Sequence, residues 1–272
     1  DIDYLINNIS WKSNYILNLD GNEADLMGWI SINNNSGKSF KDTTLHVLAG
    51  EINRAQKPRR NYRVAKAVMM SDSMPEVSHQ AHEGYHFYTI PFQVTLANNE
   101  NTQLKFLTQH AIPVKRKYTV RVNNPNYLQG EISHDVVQFI TMQGLDLPLP
   151  SGVVRTYSEL GQTNILLGET LIKHTPKDTP LSLKLGKNFD VKVKETLVKH
   201  DKGSWNLDVD VKYTLKNSSD EVKNITLQVP FNKRDGSKVK SDLKYTFTKG
   251  NMVTFVVEVP ANSEKSFNAY YT

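Results

Sequence analysis

The stretch 205–215, WNLDVDVKYTL, sets the strongest limit on the fold. It places Trp205, Leu207, Val209, Val211, Tyr213 and Leu215 at every second position, with Asn206, Asp208, Asp210, Lys212 and Thr214 between them. A period of two belongs to a β-strand, whose successive side chains point to opposite faces. One face here is apolar and the other polar, the pattern of a half-buried antiparallel strand. Similar alternation runs through YTIPFQVTL, YTVRVN, NITLQVPF, KYTFT and MVTFVVEV. Turn pairs that tolerate positive φ separate the runs: Asp20-Gly21, Asn98-Asn99, Lys202-Gly203, Asp235-Gly236 and Gly250-Asn251. No window of about twelve residues carries a 3.6-residue apolar stripe. DIDYLINNI at the start is compatible with one or two helical turns.

The expected fold is therefore all-β: two antiparallel β-sandwich domains of immunoglobulin-like type, with little or no helix. A chain of 272 residues is long enough for two such domains. The boundary is expected in 120–133, VRVNNPNYLQGEIS, where Asn123-Asn124-Pro125 and Gly130 interrupt the alternation. This gives domains at 1–129 and 130–272. A weak repeat supports two domains. Laid without gaps, 29–47 on 211–229 matches at Asn35/Asn217, Ser36/Ser218, Lys41/Lys223, Thr44/Thr226, Leu45/Leu227 and Val47/Val229. Each copy reads as a strand, an Asn-Ser turn and a second strand. Upstream of the turn the inward residues are Ile30 and Ile32 in one copy but Tyr213 and Leu215 in the other, one position out of step. The first turn is thus expected to be one residue longer. Duplication and convergence on a common β pattern both account for the match.

Composition narrows the function classes. There is no cysteine, so disulfides and thiolate chemistry are excluded. No run of about 18 apolar residues exists, and no transmembrane segment is expected. The net charge of +5 is spread over both halves, unlike the concentrated charge of a dedicated nucleic-acid binder. The one local concentration is 54–66, with Arg54, Lys57, Arg59, Arg60, Arg63 and Lys66 and no acid. It reads as a solvated loop or, alternatively, as a contact for an anionic polymer or lipid headgroup. The chain begins at Asp1 with no signal-like segment, and a targeting segment is expected outside it.

His82-Glu83-Gly84-Tyr85-His86 spells H-E-x-x-H, the signature of zinc proteases. That chemistry needs a helix, which sets i and i+4 one turn apart so that two imidazoles share one ion. Gly84 weakens a helix, and the following YHFYTIPFQVTL alternates like a strand. Along one extended strand the two histidines stand about 13 Å apart, too far for a shared ion. A metal-dependent hydrolase using His82, Glu83 and His86 is therefore the alternative, and the expectation is no metal and no cofactor. His79 could join His82 in an incidental metal contact. No G-x-S-x-G, P-loop or G-x-G-x-x-G is present. DGNEAD at 20–25 lacks calcium-loop spacing and reads as a hairpin turn.

The most distinctive segment is 148–195. It contains Pro148-Leu149-Pro150-Ser151-Gly152, Val154-Arg155-Thr156-Tyr157, Leu167-Gly168-Glu169, His174-Thr175-Pro176-Lys177-Asp178, Leu185-Gly186 and Phe189-Asp190-Val191. Earlier pieces are Trp11 with Tyr15, Asn35-Ser36-Gly37, Ala49-Gly50-Glu51-Ile52-Asn53 and Tyr85-His86-Phe87-Tyr88. In this order they resemble the conserved bacterial domain of unknown function found in mucoidy-inhibitor-like proteins. Two departures stand out. The N-terminal domain and coiled coil of longer members are absent, and Thr179 replaces the acid that usually follows the His-Thr-Pro-Lys-Asp piece. The resemblance implies a β-rich fold and export, and no established activity, substrate or cofactor. His174 and Asp178 either satisfy turn amides or, with Lys177, rim a binding surface. Trp11 is the candidate exposed aromatic, whereas Trp29 and Trp205 read as core. The expected function is that of a non-catalytic, extracytoplasmic protein that binds another protein or a cell-envelope component.

Overall fold

The computed structural model describes residues 4–49, 67–69, 78–82, 85–202, 207–232 and 237–272. These are nearly all β. In chain order the strands are β1 (Ile9–Asp20), β2 (Glu23–Asn34), β3 (Phe40–Thr43), β4 (His46–Ala49), β5 (Ala67–Met69), β6 (Ser78–His82) and β7 (Tyr85–Thr89). Then follow β8 (Val94–Leu96), β9 (Glu100–Arg121), β10 (Glu131–Met142), β11 (Gly152–Leu160), β12 (Thr163–Ile172) and β13 (Leu181–Lys202). The last are β14 (Leu207–Asn217), β15 (Lys223–Pro230), β16 (Val239–Ser241), β17 (Tyr245–Thr248), β18 (Met252–Val259) and β19 (Ser263–Tyr271). The one helical element among the described residues is a single 3-10 turn at Pro125–Tyr127, whose first N–H is capped by Asn124. Residues 4–8 are not helical, contrary to the reading of the first segment, because β1 takes up the apolar positions from Ile9 onward. Among the described residues no helix is long and apolar enough to cross a membrane.

Contacts divide the chain into two compact units, residues 1–114 with 142–183 and residues 115–141 with 184–272. Both are discontinuous in sequence, so a cut at 129/130 is not where the contacts separate; residues 122–130 belong to the second unit. The cause is two strands of 22 residues, β9 and β13, each of which has residues in both units. The main ladder is one hydrogen-bonded series through β9. Its pairing is mixed rather than purely antiparallel: β11 runs parallel to β1, and β15 and β5 run parallel to β9.

In the first unit the ladder runs β12-β11-β1-β2-β9, with separate sets β3-β8 and β4-β7-β6. ISWKSNYILNLD alternates through β1, and Ser13, Tyr15, Leu17 and Leu19 are buried while the positions between them are only partly covered. Tyr15 and Tyr88 each meet Phe106 edge-on at 5.9 Å, an arrangement favoured by the aromatic quadrupole. In the second unit the ladder runs β10-β13-β14-β19-β16, and β9, β15, β18 and β17 form the other set. Val209, Val211, Tyr213 and Leu215 of β14 are fully buried, as the alternation requires. They share one cluster with Ile225, Leu227 and Val229 of β15 and Val253, Phe255 and Val257 of β18. Each such aliphatic side chain contributes about 1.5–3 kcal/mol by leaving water.

The turn residues behave as their chemistry predicts: Gly21, Asn99, Gly250 and Asn251 all have positive φ. Trp29 is only half-buried, on the pleat opposite Ile30, which corrects its reading as core; Trp205 lies outside the described residues. YHFYTIPFQVTL is not one strand: β7 ends at Thr89, the chain bends at Pro91-Phe92, and β8 begins at Val94.

Candidate functional site

The segments 148–157 and 167–178 lie in the first unit, together with Trp11, Tyr15 and Tyr88, whereas 185–191 fall in the second. Loop 143–151 lies against loop 173–180, joined by paired backbone hydrogen bonds between Leu149 and Thr175 at 2.8 and 2.9 Å. Both loops are proline-rich, and prolines offer carbonyls but no N–H. Strands β1 and β7 supply the donors. Tyr15 donates its hydroxyl to the Pro150 carbonyl at 2.7 Å, and Tyr88 donates to the Pro148 carbonyl at 2.9 Å. Ser13 donates to the Ser151 carbonyl at 2.8 Å. Burial pushes both phenols well above the ordinary tyrosine range, so each remains a donor. A glycine is required at two contacts. A Cβ on Gly152 would lie 2.3 Å from the Ser13 carbonyl oxygen, and one on Gly144 would lie 2.0 Å from the Asp178 backbone.

The three proposed loop residues are all exposed and come together here. His174 accepts the Ser151 N–H at its Nδ1, 3.2 Å away, which places the ring proton of a neutral imidazole on Nε2. Lys177 forms an ion pair with Asp146, whose carboxylate holds the ammonium above its ordinary pKa. Asp178 has φ +59 and donates its N–H to the Leu145 carbonyl at 2.8 Å. The motif residues thus build a clamped loop pair whose outer rim is His174, Lys177 and Asp178. Trp11 does not join them as an exposed platform: it is half-buried, on the pleat that carries Ser13 and Tyr15. Arg59, Arg60 and Arg63, with the rest of 54–66, lie outside the described residues.

The H-E-x-x-H segment takes a form that single-strand spacing did not foresee. His82 ends β6 and His86 lies in β7, two strands paired antiparallel with His82 opposite Tyr85 and His86 opposite Ala81. The two histidines therefore occupy adjacent rungs of two paired strands, not positions along one strand as expected. Neither segment is helical. Glu83 and Gly84 lie outside the described residues. Among the described residues no three His, Asp or Glu side chains are grouped to hold a metal ion.

A second feature went unnoticed in the sequence. At the far ends of β1 and β11 an open groove of about 410 Å³ is lined by Asn18, Glu23, Tyr157, Glu159 and Asn164 around an Asp25–His110 pair. Asp25 accepts from His110 Nδ1 at 2.8 Å and from the Ala111 N–H at 3.0 Å. These bonds, the imidazole contact first, hold its carboxyl below the usual range. They also secure a β-bulge in β9, where Ala111 adopts φ +52. Both oxygens of Asp25 are thereby engaged in shaping the strand. The DGNEAD reading as a hairpin turn agrees with the β1–β2 connection, and the sequence gives no sign of the bulge opposite it.

No protein-family model matches the chain, and a search of curated proteins finds no similar sequence.

Proposed function

We propose that the protein is a non-catalytic, exported binding module, built of two immunoglobulin-like β-sandwiches and belonging with the bacterial domain found in mucoidy-inhibitor-like proteins. The observation that carries this reading is the clamped loop pair of the first unit. Its backbone is pinned from below by Tyr15, Tyr88 and Ser13, while His174, Lys177 and Asp178 stay exposed on its rim. Rigid loops on a sheet scaffold lose little conformational freedom on binding, which is what a recognition surface needs. The alternating charge and donor character of the rim suits a polar partner, either another protein or a cell-envelope component. Export enters through the family resemblance.

The test compares the wild type with a triple variant, His174→Asn, Lys177→Ala and Asp178→Gly, as immobilised baits in cell-envelope extracts; the asparagine side-chain oxygen replaces Nδ1 as acceptor for the Ser151 N–H. Glycine at 178 accepts the positive φ without strain. A partner retained by the wild type and lost by the triple variant, at unchanged melting temperature, supports the reading. Equal retention by both baits, or repeated empty captures, rejects it.

A further inference from the structure

We infer that the two units are built on one six-strand repeat present twice, and that loops 143–151 and 173–180 with the β11–β12 hairpin are an addition to the first copy. The evidence is a constant correspondence of rungs. Asn34 pairs with Ile9 and Glu100, and Asn217 pairs with Val191 and Ser263. Ile30 pairs with Ser13 and Leu104, and Tyr213 pairs with Glu195 and Phe267. Phe40 pairs with Leu96 and Thr43 with Val94, just as Lys223 pairs with Val259 and Ile225 with Val257. Strand for strand, β1, β2, β3/β4, β6, β7/β8 and β9 stand where β13, β14, β15, β17, β18 and β19 stand.

The side chains at corresponding rungs do the same work. Asn34 Nδ2 donates to the carbonyls of Lys38, Leu96 and Ala97 at 2.8, 3.0 and 3.1 Å. Asn217 Nδ2 donates to those of Glu221, Val259 and Pro260 at 2.8, 3.2 and 2.9 Å. Each Oδ1 accepts from the serine two residues on, at 2.7 Å from its hydroxyl. The N–H after each asparagine donates at 2.8 Å, to Asn8 in one copy and to Asp190 in the other. At the next corresponding rung both copies bury a polar side chain that holds the adjoining segment: Ser13 on Ser151, and Glu195 on the Asn123 N–H. Convergence on alternation alone gives none of these specific bonds.

The structure also locates the extra residue of the first copy. It is not in the turn, where the sequence alignment places it, but in β3. Two steps of β8, Leu96 to Val94, face three steps of β3, Phe40 to Thr43, and Asp42 takes φ +47 there. In the second copy the same interval has two steps on both strands. Asp42 is therefore a bulge inserted into one copy.

The repeat makes a prediction that a merely similar architecture does not. Deleting Asp42 restores the register of the second copy and leaves inward residues on both sides of it inward. The full chain without Asp42 is expected to melt within about 4 °C of the wild type. Deleting Asn224, at the corresponding place in the second copy, turns Ile225, Leu227 and Val229 outward and is expected to abolish cooperative unfolding. A chimera carrying residues 217–226 in place of 34–44 is expected to fold as the Asp42 deletion does. If the Asp42 deletion or the chimera unfolds, or if the Asn224 deletion is tolerated, the inference is overturned.

Discussion

Asn217 offers the most direct measure of how much one side chain holds the second unit together. It is 1% exposed and makes five polar contacts, three from its amide nitrogen and two to its oxygen. The nitrogen has two hydrogens, so one contact is shared, leaving about four bond equivalents, each with a net value of about 1 kcal/mol. Replacing Asn217 by Ala leaves the carbonyls of Glu221, Val259 and Pro260 and the Ser219 N–H without that partner. Those near the turn rehydrate, so the expected loss is about 3 kcal/mol. For a chain of this size that lowers the melting temperature by roughly 6–12 °C. Urea denaturation followed by tyrosine and tryptophan fluorescence measures it. Ser218→Ala, at the exposed neighbouring position, is the control and should fall within about 0.5 kcal/mol of the wild type. Asn217→Asp keeps the acceptor but sets a carboxylate against three carbonyl oxygens, and should be no milder than Ala. A loss below about 1 kcal/mol for Asn217→Ala, or an equal loss for Ser218→Ala, would refute the argument that the amide ties the turn to β18.

Asn34→Ala should destabilise by about the same 3 kcal/mol, because its contacts match those of Asn217; a neutral result would separate the two turns energetically. Gly152→Ala should cost more than about 2 kcal/mol in chemical denaturation, since its methyl would enter the Ser13 backbone at 2.3 Å. Asp135 is flanked by Lys187 and Lys192, whose hydrogen bonds lower its pKa to about 2. A depressed carboxylate pKa stabilises the fold above the unfolded value of about 4, and that contribution is lost as the pH falls towards about 2. Carboxyl NMR titration should show the low midpoint, and it should return towards the ordinary value in about 1 M salt, which screens surface charge. Tyr15, Tyr88, Tyr213 and Tyr271 are held above the ordinary tyrosine range, chiefly by burial. An alkaline absorbance titration of the native protein should leave these four of the twelve tyrosines un-ionised until the chain unfolds; twelve titrating together would contradict the buried hydroxyl pairing.

Alternation made β14 legible because each of its inward residues meets a single core, and Val209 to Leu215 show it without exception. Strand pairing was less legible, for physical reasons. The parallel contact of β1 with β11 joins residues about 140 positions apart, and nothing local encodes it. Its basis is the close approach of Gly152 to Ser13, which a reader of the sequence sees only as one more loop glycine. The contact division of the chain was hidden for a related reason. Asn123-Asn124-Pro125 does end a strand and start a turn, but a chain break in secondary structure is not a break in packing. Bulges were invisible too. Ala111 has positive φ with a side chain that does not favour it, so propensity argues against the observed conformation, and Asp42, whose side chain tolerates positive φ, lies inside a strand with no turn signal beside it.

The loop pair shows how a motif with reactive residue types can be consumed by architecture. Prolines at 148 and 150 remove two N–H groups from a buried loop, which lightens the demand for acceptors but leaves carbonyls that must find donors. Two tyrosine hydroxyls fill that need, Tyr15 from β1 and Tyr88 from β7. His174 then closes the arrangement by accepting the Ser151 N–H. The sequence displayed every one of these residues, yet it offered His174 and Asp178 as either turn-satisfying groups or a binding rim. In the structure the Nδ1 of His174 and the backbone of Asp178 hold the loop, and both residues, like Lys177, are exposed. A substitution that spares the loop-holding atoms and alters only the outward ones is therefore the cleanest way to separate recognition from folding. Lys177→Glu is the simplest such change, since it leaves the backbone clamp untouched and reverses the charge presented beside Asp146.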